Sequence, residues 1–411
     1  MGRASVVITG MGVWCAIGRD LAEFRQSLYI GRDGASLVPA ARFSTESAAY
    51  RTRKAATLID GPVEPLARSD ATVLADVAIR VAEEALQDGG LPVGSFEPQE
   101  MGLVLGTTVG GSYAFIRFVR GKLGLPGGDR RAILGPCTAG SMTGTVAKYF
   151  KIQGPVSTVS TACAAGANSL GRAFDLIRRG NVRFALAGGV DLFSELTFSG
   201  FNALQALGRN GCRPFDETRD GLMLGDAGAI LLLETRESAN TRGARIYAEF
   251  AGYATANEAY HATGPDPEGT GAITVMHGAL AQAGIPLRAV EYINAHGTGT
   301  KANDDMELKA IRTLFGDHTP NVYVSSTKSM IGHTLGAAGS VEAIATTIGM
   351  YHHFMPPSIN LSTPMTGSED IKFVIGTALN KDFSVALSNS FGFGGNVASI
   401  VIKKNDIVSG R

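Results

Sequence analysis

The chain has 411 residues, with Lys plus Arg and Asp plus Glu both at 37, so its net charge is zero. That balance excludes attachment to nucleic acid or to an anionic membrane surface by bulk charge, and any charged partner must meet a local patch. The four cysteines, Cys15, Cys137, Cys163 and Cys212, are widely spaced, with no CxxC and no histidines at metal-ligand intervals, a pattern that fits a reduced chain and offers no metal site.

The opening stretch MGRASVVITGMG has no basic segment followed by a long apolar run and a cleavage site, and Val6 stands where a myristoylation signal takes Ser or Thr. No apolar run reaches the roughly twenty residues of a membrane span. A cytoplasmic location is the expectation. The length exceeds one ordinary domain and suits either two domains or one large duplicated α/β unit. Glycine totals 53 and is dispersed, which points to tight turns and close backbone packing.

In chain order, VVITGMGVWCAIG reads as a strand and turn. It imitates a dinucleotide fingerprint, but Cys15 occupies the third glycine position and no acidic residue closes a second strand about 20 positions on, so nicotinamide binding is rejected. SDATVLADVAIRVAEEALQDGG reads as a helix capped by Ser69 or Asp70, with Val73, Val77 and Val81 on one face. MGLVLGTTVGG is a strand ending in a glycine turn. No Walker sequence occurs, and GANSLG does not fit the serine-hydrolase elbow.

In VSTVSTACAAGANSLGRAFDLIRRG, a β-branched strand over 156–161 meets a helix from Ala164, with Ala167, Leu170, Phe174 and Ile177 at helical spacing up to Gly180. Cys163 sits at the junction and caps the helix. The partial positive charge there should let the thiol ionise below its free value of roughly 8.5. A free cysteine is as often a small buried hydrophobe, so the partners decide the matter.

RFALAGGVDLF and GAILLLET read as core strands, and the polar stretch HATGPDPEGTGA follows a half-boundary placed near residue 250. Beyond it come the helix GAITVMHGALAQAG, the strands VEYINAH and VYVSSTK, the helix GSVEAIATTIGMYHH and a strand pair around FGFGG. The repeated strand, turn, helix order gives an α/β protein with mostly parallel sheets. VSTACAAGANSL and VSSTKSMIGHTLGAAGS form a faint internal repeat. His296 closes a strand at its carboxyl end, where open α/β sheets place ligands, and His333 follows Lys328 in a glycine-rich connection. One cysteine and two such histidines point to chemistry.

Together, GPVSTVSTACAAGANS, RPFDETRDGLMLGDAGAILLLE, NAHGTGTKANDDMELKAI, SSTKSMIGHTLGAAGSVEAI and SNSFGFGG resemble the elongating β-ketoacyl-acyl-carrier-protein synthases, the type II ketosynthases of the thiolase superfamily. The resemblance spans nearly the whole chain. It implies an α/β thiolase fold of duplicated halves in five α-β-α-β-α layers, divided here as residues 1–250 with the nucleophile and 251–411 with the histidines. It implies a decarboxylative Claisen condensation without metal or intrinsic cofactor, the phosphopantetheine arm arriving on acyl- and malonyl-loaded acyl carrier protein.

By that resemblance Cys163 takes the acyl group, the backbone N–H groups of Cys163 and Phe393 hold the oxyanion, and His296 and His333 stabilise the enolate through Nε2. Lys328 and Glu342 support the histidines, though without the family both would pass for ordinary solvated charges. Phe393 and Gly394 gate access. Thr298, Thr300 and, less closely matched, Thr263 bind the pantetheine arm, while Arg130, Arg131 and Arg209 are candidates for docking the acidic carrier. Asp304, Asp305 and Glu307 read as an ordinary acidic helix start.

The chain departs from the fatty-acid enzymes where Asn396 and Val397 replace a Thr-Asn pair behind the glycine loop, which is expected to alter the bonds that hold the loop closed. HGTGT is familiar from polyketide synthases, so a polyketide or polyene pathway stands beside fatty-acid elongation. A non-catalytic chain-length factor would lack Cys163, and a coenzyme A thiolase would carry a second cysteine in the late glycine loop. An initiating ketosynthase would have Asn at His333. The expected assembly is a homodimer or a heterodimer with a chain-length factor.

Overall fold

The computed structural model describes residues 4–40, 42–43, 50–61, 73–125, 128 and 135–405. The first half contributes β1 (Val6–Cys15), α1 (Val73–Asp88), β2 (Met101–Gly106), β3 (Val156–Val159), α2 (Ala165–Arg178), β4 (Phe184–Asp191) and β5 (Ala227–Thr235). The second contributes β6 (Ala248–Asn257), α3 (Thr270–Ala283), β7 (Tyr292–Asn294), α4 (Lys301–Phe315), β8 (Tyr323–Ser325), α5 (Lys328–Ile331) and α6 (Ala338–Tyr351). It ends with β9 (Lys372–Phe373), β10 (Val385–Gly392) and β11 (Asn396–Lys404).

Hydrogen bonding runs through one ladder in the order β9-β8-β7-β10-β11-β6-β1-β5-β4-β2-β3. From the middle outwards each half has the same order: β1, β5, β4, β2, β3 against β6, β11, β10, β7, β8. The senses match as well, since β5 is antiparallel to β1 and β4 while β4, β2 and β3 run parallel, and the second half repeats this. The halves join where Val6–Ile8 pairs antiparallel with Ala248–Phe250. The repeat that was faint in sequence is a full duplication of topology, because strand order constrains backbone pairing while leaving most side chains free to diverge.

Strand periodicity explains the layers. In β5, Leu231 and Leu233 enter the central core while Ile230 and Leu232 enter the outer core of the first half. In β11, Ile400 and Ile402 face the central core and Val397 and Val401 the outer core of the second half. A strand buried on both faces needs helices on both sides. α1 covers the first sheet outside with Val77 and Val81, and α3 and α4 cover the second with Val275, Met276 and Ile311. Between the sheets lie α2, through Leu170 and Phe174, and α6, through Val341, Ile344 and Ile348.

The two central helices touch at glycines. A Cβ on Gly166 would lie 2.7 Å from the Gly336 carbonyl, and one on Gly339 would lie 2.7 Å from Ala167 N. Only glycine permits that approach. Ser69 and Asp70, expected as caps of α1, lie outside the described residues, and Val73 of its expected apolar face is only half-buried. No helix among the described residues is long and apolar enough to cross a membrane.

Candidate active site

The nucleophile turn is longer than the sequence suggested. β3 stops at Val159 and α2 begins at Ala165 with Ala164 as its N-cap, so Cys163 stands one residue before the cap. Ala162 takes φ +49, a left-handed conformation that costs a non-glycine residue roughly 1–2 kcal/mol. The turn thereby aims Cys163 at the second half, and the residue is 5% exposed.

Burial pushes the thiol up to about 11. Lys328 and the backbone N–H groups of Phe393 and Cys163, which hydrogen-bond the sulfur, pull it down, while the charge of Asp191 pushes it up. The expected ionisation at the helix start is therefore overturned. A helix terminus supplies at most ~2 kcal/mol, whereas full burial shifts a group by up to roughly 3–5 pH units.

His296 lies two residues beyond β7 in a loop clamped by α4. Glu307 accepts from His296 N through Oε1 and from Gly297 N through Oε2, both at 2.8 Å. Asp304 Oδ1 accepts from Thr298 N at 3.1 Å and Gly299 N at 3.3 Å, and its Oδ2 from Phe215 N at 2.9 Å. Both carboxylates are fully buried. Burial pushes Asp304 up to about 7 and raises Glu307, with the backbone donors opposing it. These are not the solvated helix start that the sequence suggested; only Asp305 is exposed, paired with Arg219 at 2.6 Å. Helical side chains lean towards the N-terminus, so carboxylates in the first two turns after a glycine loop reach back over it. That spacing was the signal.

His333 follows α5 through Gly332, whose φ is +65. Its Nδ1 accepts from Leu335 N at 3.2 Å. The Lys328 ammonium donates to His296 Nδ1 at 3.2 Å and pairs with Glu342 of α6. All four side chains are buried, so Lys328 and Glu342 are not surface charges. Burial pushes the Glu342 carboxyl up while Lys328 pulls it down. Removing one partner of such a pair costs about 3–5 kcal/mol.

Burial, and then the charge of Lys328, holds both imidazoles well below the usual histidine range, so they are neutral at pH 7. With each Nδ1 accepting, each proton sits on Nε2. The ring centroids are 5.3 Å apart at 84°.

Phe393–Gly395 closes the site between β10 and β11. The Phe393 ring lies 5.6 Å from that of Phe201. Gly394, at φ +77, donates to Ala262 O at 2.8 Å and accepts from Asn257 Nδ2 at 2.8 Å, and Gly395 O accepts from Glu258 N at 2.9 Å. Asn396 Nδ2 reaches back to Phe393 O at 3.3 Å, while Val397 is buried.

Cys163, His296, His333 and Phe393 line one cavity of about 680 Å³, together with Thr263, Thr298 and Thr300. Thr298 and Thr300 join hydroxyls at 2.8 Å, and Thr263 N donates to His261 Nδ1 at 3.1 Å. Lys328 and Glu342 lie behind the imidazoles, and Gly394 follows Phe393. Arg209 is exposed and does not line the cavity. Arg130 and Arg131 lie outside the described residues.

Two duplicated α/β halves closing on a cysteine and two neutral histidines define a condensing enzyme of the thiolase fold. Residues 3–239 match the family model of the β-ketoacyl synthase N-terminal domain and residues 247–362 that of its C-terminal domain, so the chain belongs to the β-ketoacyl synthase family, an acyltransferase family. It is 37% identical to a 3-oxoacyl-[acyl-carrier-protein] synthase 2 of Synechocystis sp., covering 98% of both chains. The same identity holds to that synthase of Staphylococcus aureus, over 97% of this chain and 98% of the relative.

Among solved structures, the ishigamide ketosynthase/chain length factor matches with a TM-score of 0.91 at 34% identity, covering 98% of this chain and all of that one. A ketosynthase solved in complex with its type II PKS acyl-carrier protein and bound to the hexaketide matches with a TM-score of 0.90 at 29% identity, over 98% and 100%.

Proposed function

We propose that this enzyme elongates an acyl chain by decarboxylative Claisen condensation, with residues 1–250 supplying the nucleophile and 251–411 the imidazoles. The observation that carries the reading is the meeting of Cys163 with two Nε2-protonated imidazoles in one cavity.

Cys163 Sγ attacks the thioester carbonyl of an acyl group carried on phosphopantetheine, and the backbone N–H groups of Cys163 and Phe393 face the oxyanion. Collapse expels the pantetheine sulfur, which takes up the thiol proton. Because the resting group is a protonated thiol, proton transfer accompanies attack. Malonyl-loaded carrier protein then loses carbon dioxide, and Nε2–H of His296 and His333 stabilise the enolate oxygen. The carbanion attacks the acyl-Cys163 carbonyl, the C–S bond breaks, the expelled Cys163 thiolate takes a proton from water, and a β-ketoacyl product two carbons longer leaves on the carrier.

Lys328 and Glu342 hold His296 in its donating tautomer. Thr263, Thr298 and Thr300 bind the pantetheine arm, Phe393 and Gly394 form the gate, and Arg130, Arg131 and Arg209 steer the acidic carrier in a salt-sensitive way. The enzyme acts in the cytoplasm as a dimer, either with itself or with a homologous chain-length factor. The curated relatives favour fatty-acid elongation; the match to the ketosynthase of a type II PKS and the Asn396-Val397 departure favour a polyketide or polyene pathway.

The test is mass spectrometry of Cys163 after incubation with acyl carrier thioesters of varied length and unsaturation. An acyl adduct that is chased to a two-carbon-longer product by malonyl-carrier protein is expected. Absence of any adduct on Cys163 from every thioester would overturn the reading, and the acyl preference separates the pathways.

A further inference from the structure

A further buried carboxylate, beside the site, holds four hydrogen bonds and has no role in the reaction as proposed. Asp191 ends β4 and is fully buried. Its Oδ1 accepts from Thr107 Oγ1 at 2.5 Å and Val109 N at 3.2 Å. Its Oδ2 accepts from Thr108 N and from Gly336 N, both at 2.6 Å. Thr107 to Val109 form the loop after β2 in the first half, whereas Gly336 belongs to the loop that carries His333 in the second. One oxygen thus ties the two halves together beside the catalytic groups. A Cβ on Gly336 would stand 2.6 Å from that oxygen, so the contact requires glycine there.

The bond to Gly336 bears directly on His333. Leu335, the residue before Gly336, holds a left-handed φ of +52 and donates its N–H to His333 Nδ1. Fixing Gly336 N fixes the plane of the Leu335–Gly336 peptide and restrains the strained residue that sets the imidazole tautomer. We infer that Asp191 is a positioning residue of the condensing reaction, locking the His333 loop to the first half. The inference rests on the roles proposed for His333 and Cys163.

Charge and geometry separate in the variants. In Asp191→Asn the amide oxygen can accept from Thr108 N and Gly336 N only as a neutral group, while its NH₂ faces the Thr107 hydroxyl, which can turn to accept, and Val109 N, whose bond is lost. The contact to Gly336 is weakened, and the charge is lost. Asp191→Glu keeps the charge but, one methylene longer, cannot place one oxygen between Thr108 N and Gly336 N. Around Cys163 the charged groups are Lys328, which lowers the thiol, and Asp191, which raises it; His296 and His333 share the cavity as neutral rings. Burial pushes Asp191 up to about 6, so it is ionised at pH 9.

The experiment measures two rates on the full-length purified enzyme: carbon dioxide release from malonyl-carrier protein, and alkylation of Cys163 by iodoacetamide at pH 9. Asp191→Asn should slow decarboxylation about tenfold or more, as expected when bonds to a charged acceptor become bonds to a neutral one. Its alkylation should become about threefold faster or more, because a neighbouring negative charge has gone. A merely structural residue would not move the thiol in that direction. Asp191→Glu should slow decarboxylation with alkylation unchanged, and it carries the test of the loop contact if the Asn variant is not recovered folded. Decarboxylation at the wild-type rate in either variant, or unchanged or slower alkylation in folded Asp191→Asn, overturns the inference. His333→Ala is the control: if it also decarboxylates normally, the proposed reaction itself fails, and if it is slow while Asp191→Asn is not, only the role of Asp191 falls.

Discussion

The two halves share strand order and strand sense but spend the same connection differently. In each, the third strand leads into a buried central helix: β3 into α2, and β8 into α6. The first half crosses in the tight turn 160–164, whose left-handed Ala162 presents a single thiol. The second uses residues 326–337, with the short helix α5 inside, and there it places Lys328 and His333. Duplication therefore supplies a matched pair of platforms, and the length of one connection decides whether a platform carries one nucleophile or a hydrogen-bonded cluster. The glycines at the crossing of α2 and α6 bring the platforms close enough for one cavity to hold both.

The sharpest break of the comparison removes the first half's nucleophile. Cys163→Ala should lower condensation by at least ~10⁴-fold, the scale seen when a covalent nucleophile is deleted. Cys163→Gln should do the same yet leave malonyl decarboxylation running, because the imidazole cluster is intact. Loss of carbon dioxide release in the Gln variant would mean that the halves do not divide the chemistry.

The pH dependence tests the thiol itself. With burial holding Cys163 at about 11, its alkylation should climb about tenfold per pH unit from pH 7 to 10 with no plateau. The sign follows from the thiolate fraction, which grows until pH reaches the thiol's own value. A plateau below pH 8 would show a nucleophile activated by the helix start after all.

In the second half, His296→Ala or His333→Ala should each reduce decarboxylation about 10²-fold, as for the loss of one oxyanion donor. Acylation of Cys163 should suffer less, and burst mass spectrometry reads it separately. Equal loss of both steps would argue against the division. Next in size is Glu307→Gln, which leaves one carbonyl oxygen where two carboxylate oxygens hold His296 N and Gly297 N. Decarboxylation should fall about tenfold. A normal rate would show that the clamp is redundant.

The smallest effect concerns the crossing. Gly339→Ala places a methyl 2.7 Å from Ala167 N, an overpacking that costs about 1–3 kcal/mol, and should lower the thermal midpoint by a few degrees. An unchanged midpoint would mean that the helices can part without penalty.

Much of the site was legible because its residues sit where backbone pattern changes. Cys163 and His296 each follow a strand and precede a helix, and His333 lies in the glycine-rich connection before α6; periodicity marks such junctions. Lys328 and Glu342 were not legible from their own type, since a lysine and a glutamate usually face water; only their burial against each other and against His296 Nδ1 gives them a role. Asp304 and Glu307 were passed over for the same reason. Asp191 was hidden inside an apolar strand, where nothing local shows that its oxygens meet a loop of the other half.

The sequence by itself determined the elements, their α/β alternation and the residue types able to form an acyl thioester and donate to an enolate, because these follow from local pattern and side-chain chemistry. The tertiary structure alone decided the protonation states and the partners. The thiol is neutral because burial outweighs a helix terminus, the imidazoles carry their protons on Nε2 because Lys328 and Leu335 occupy Nδ1, and the His333 loop meets the first half where Gly336 N donates to Asp191. Each depends on groups far apart in the chain, and desolvation and long-range hydrogen bonding have no local sequence signature.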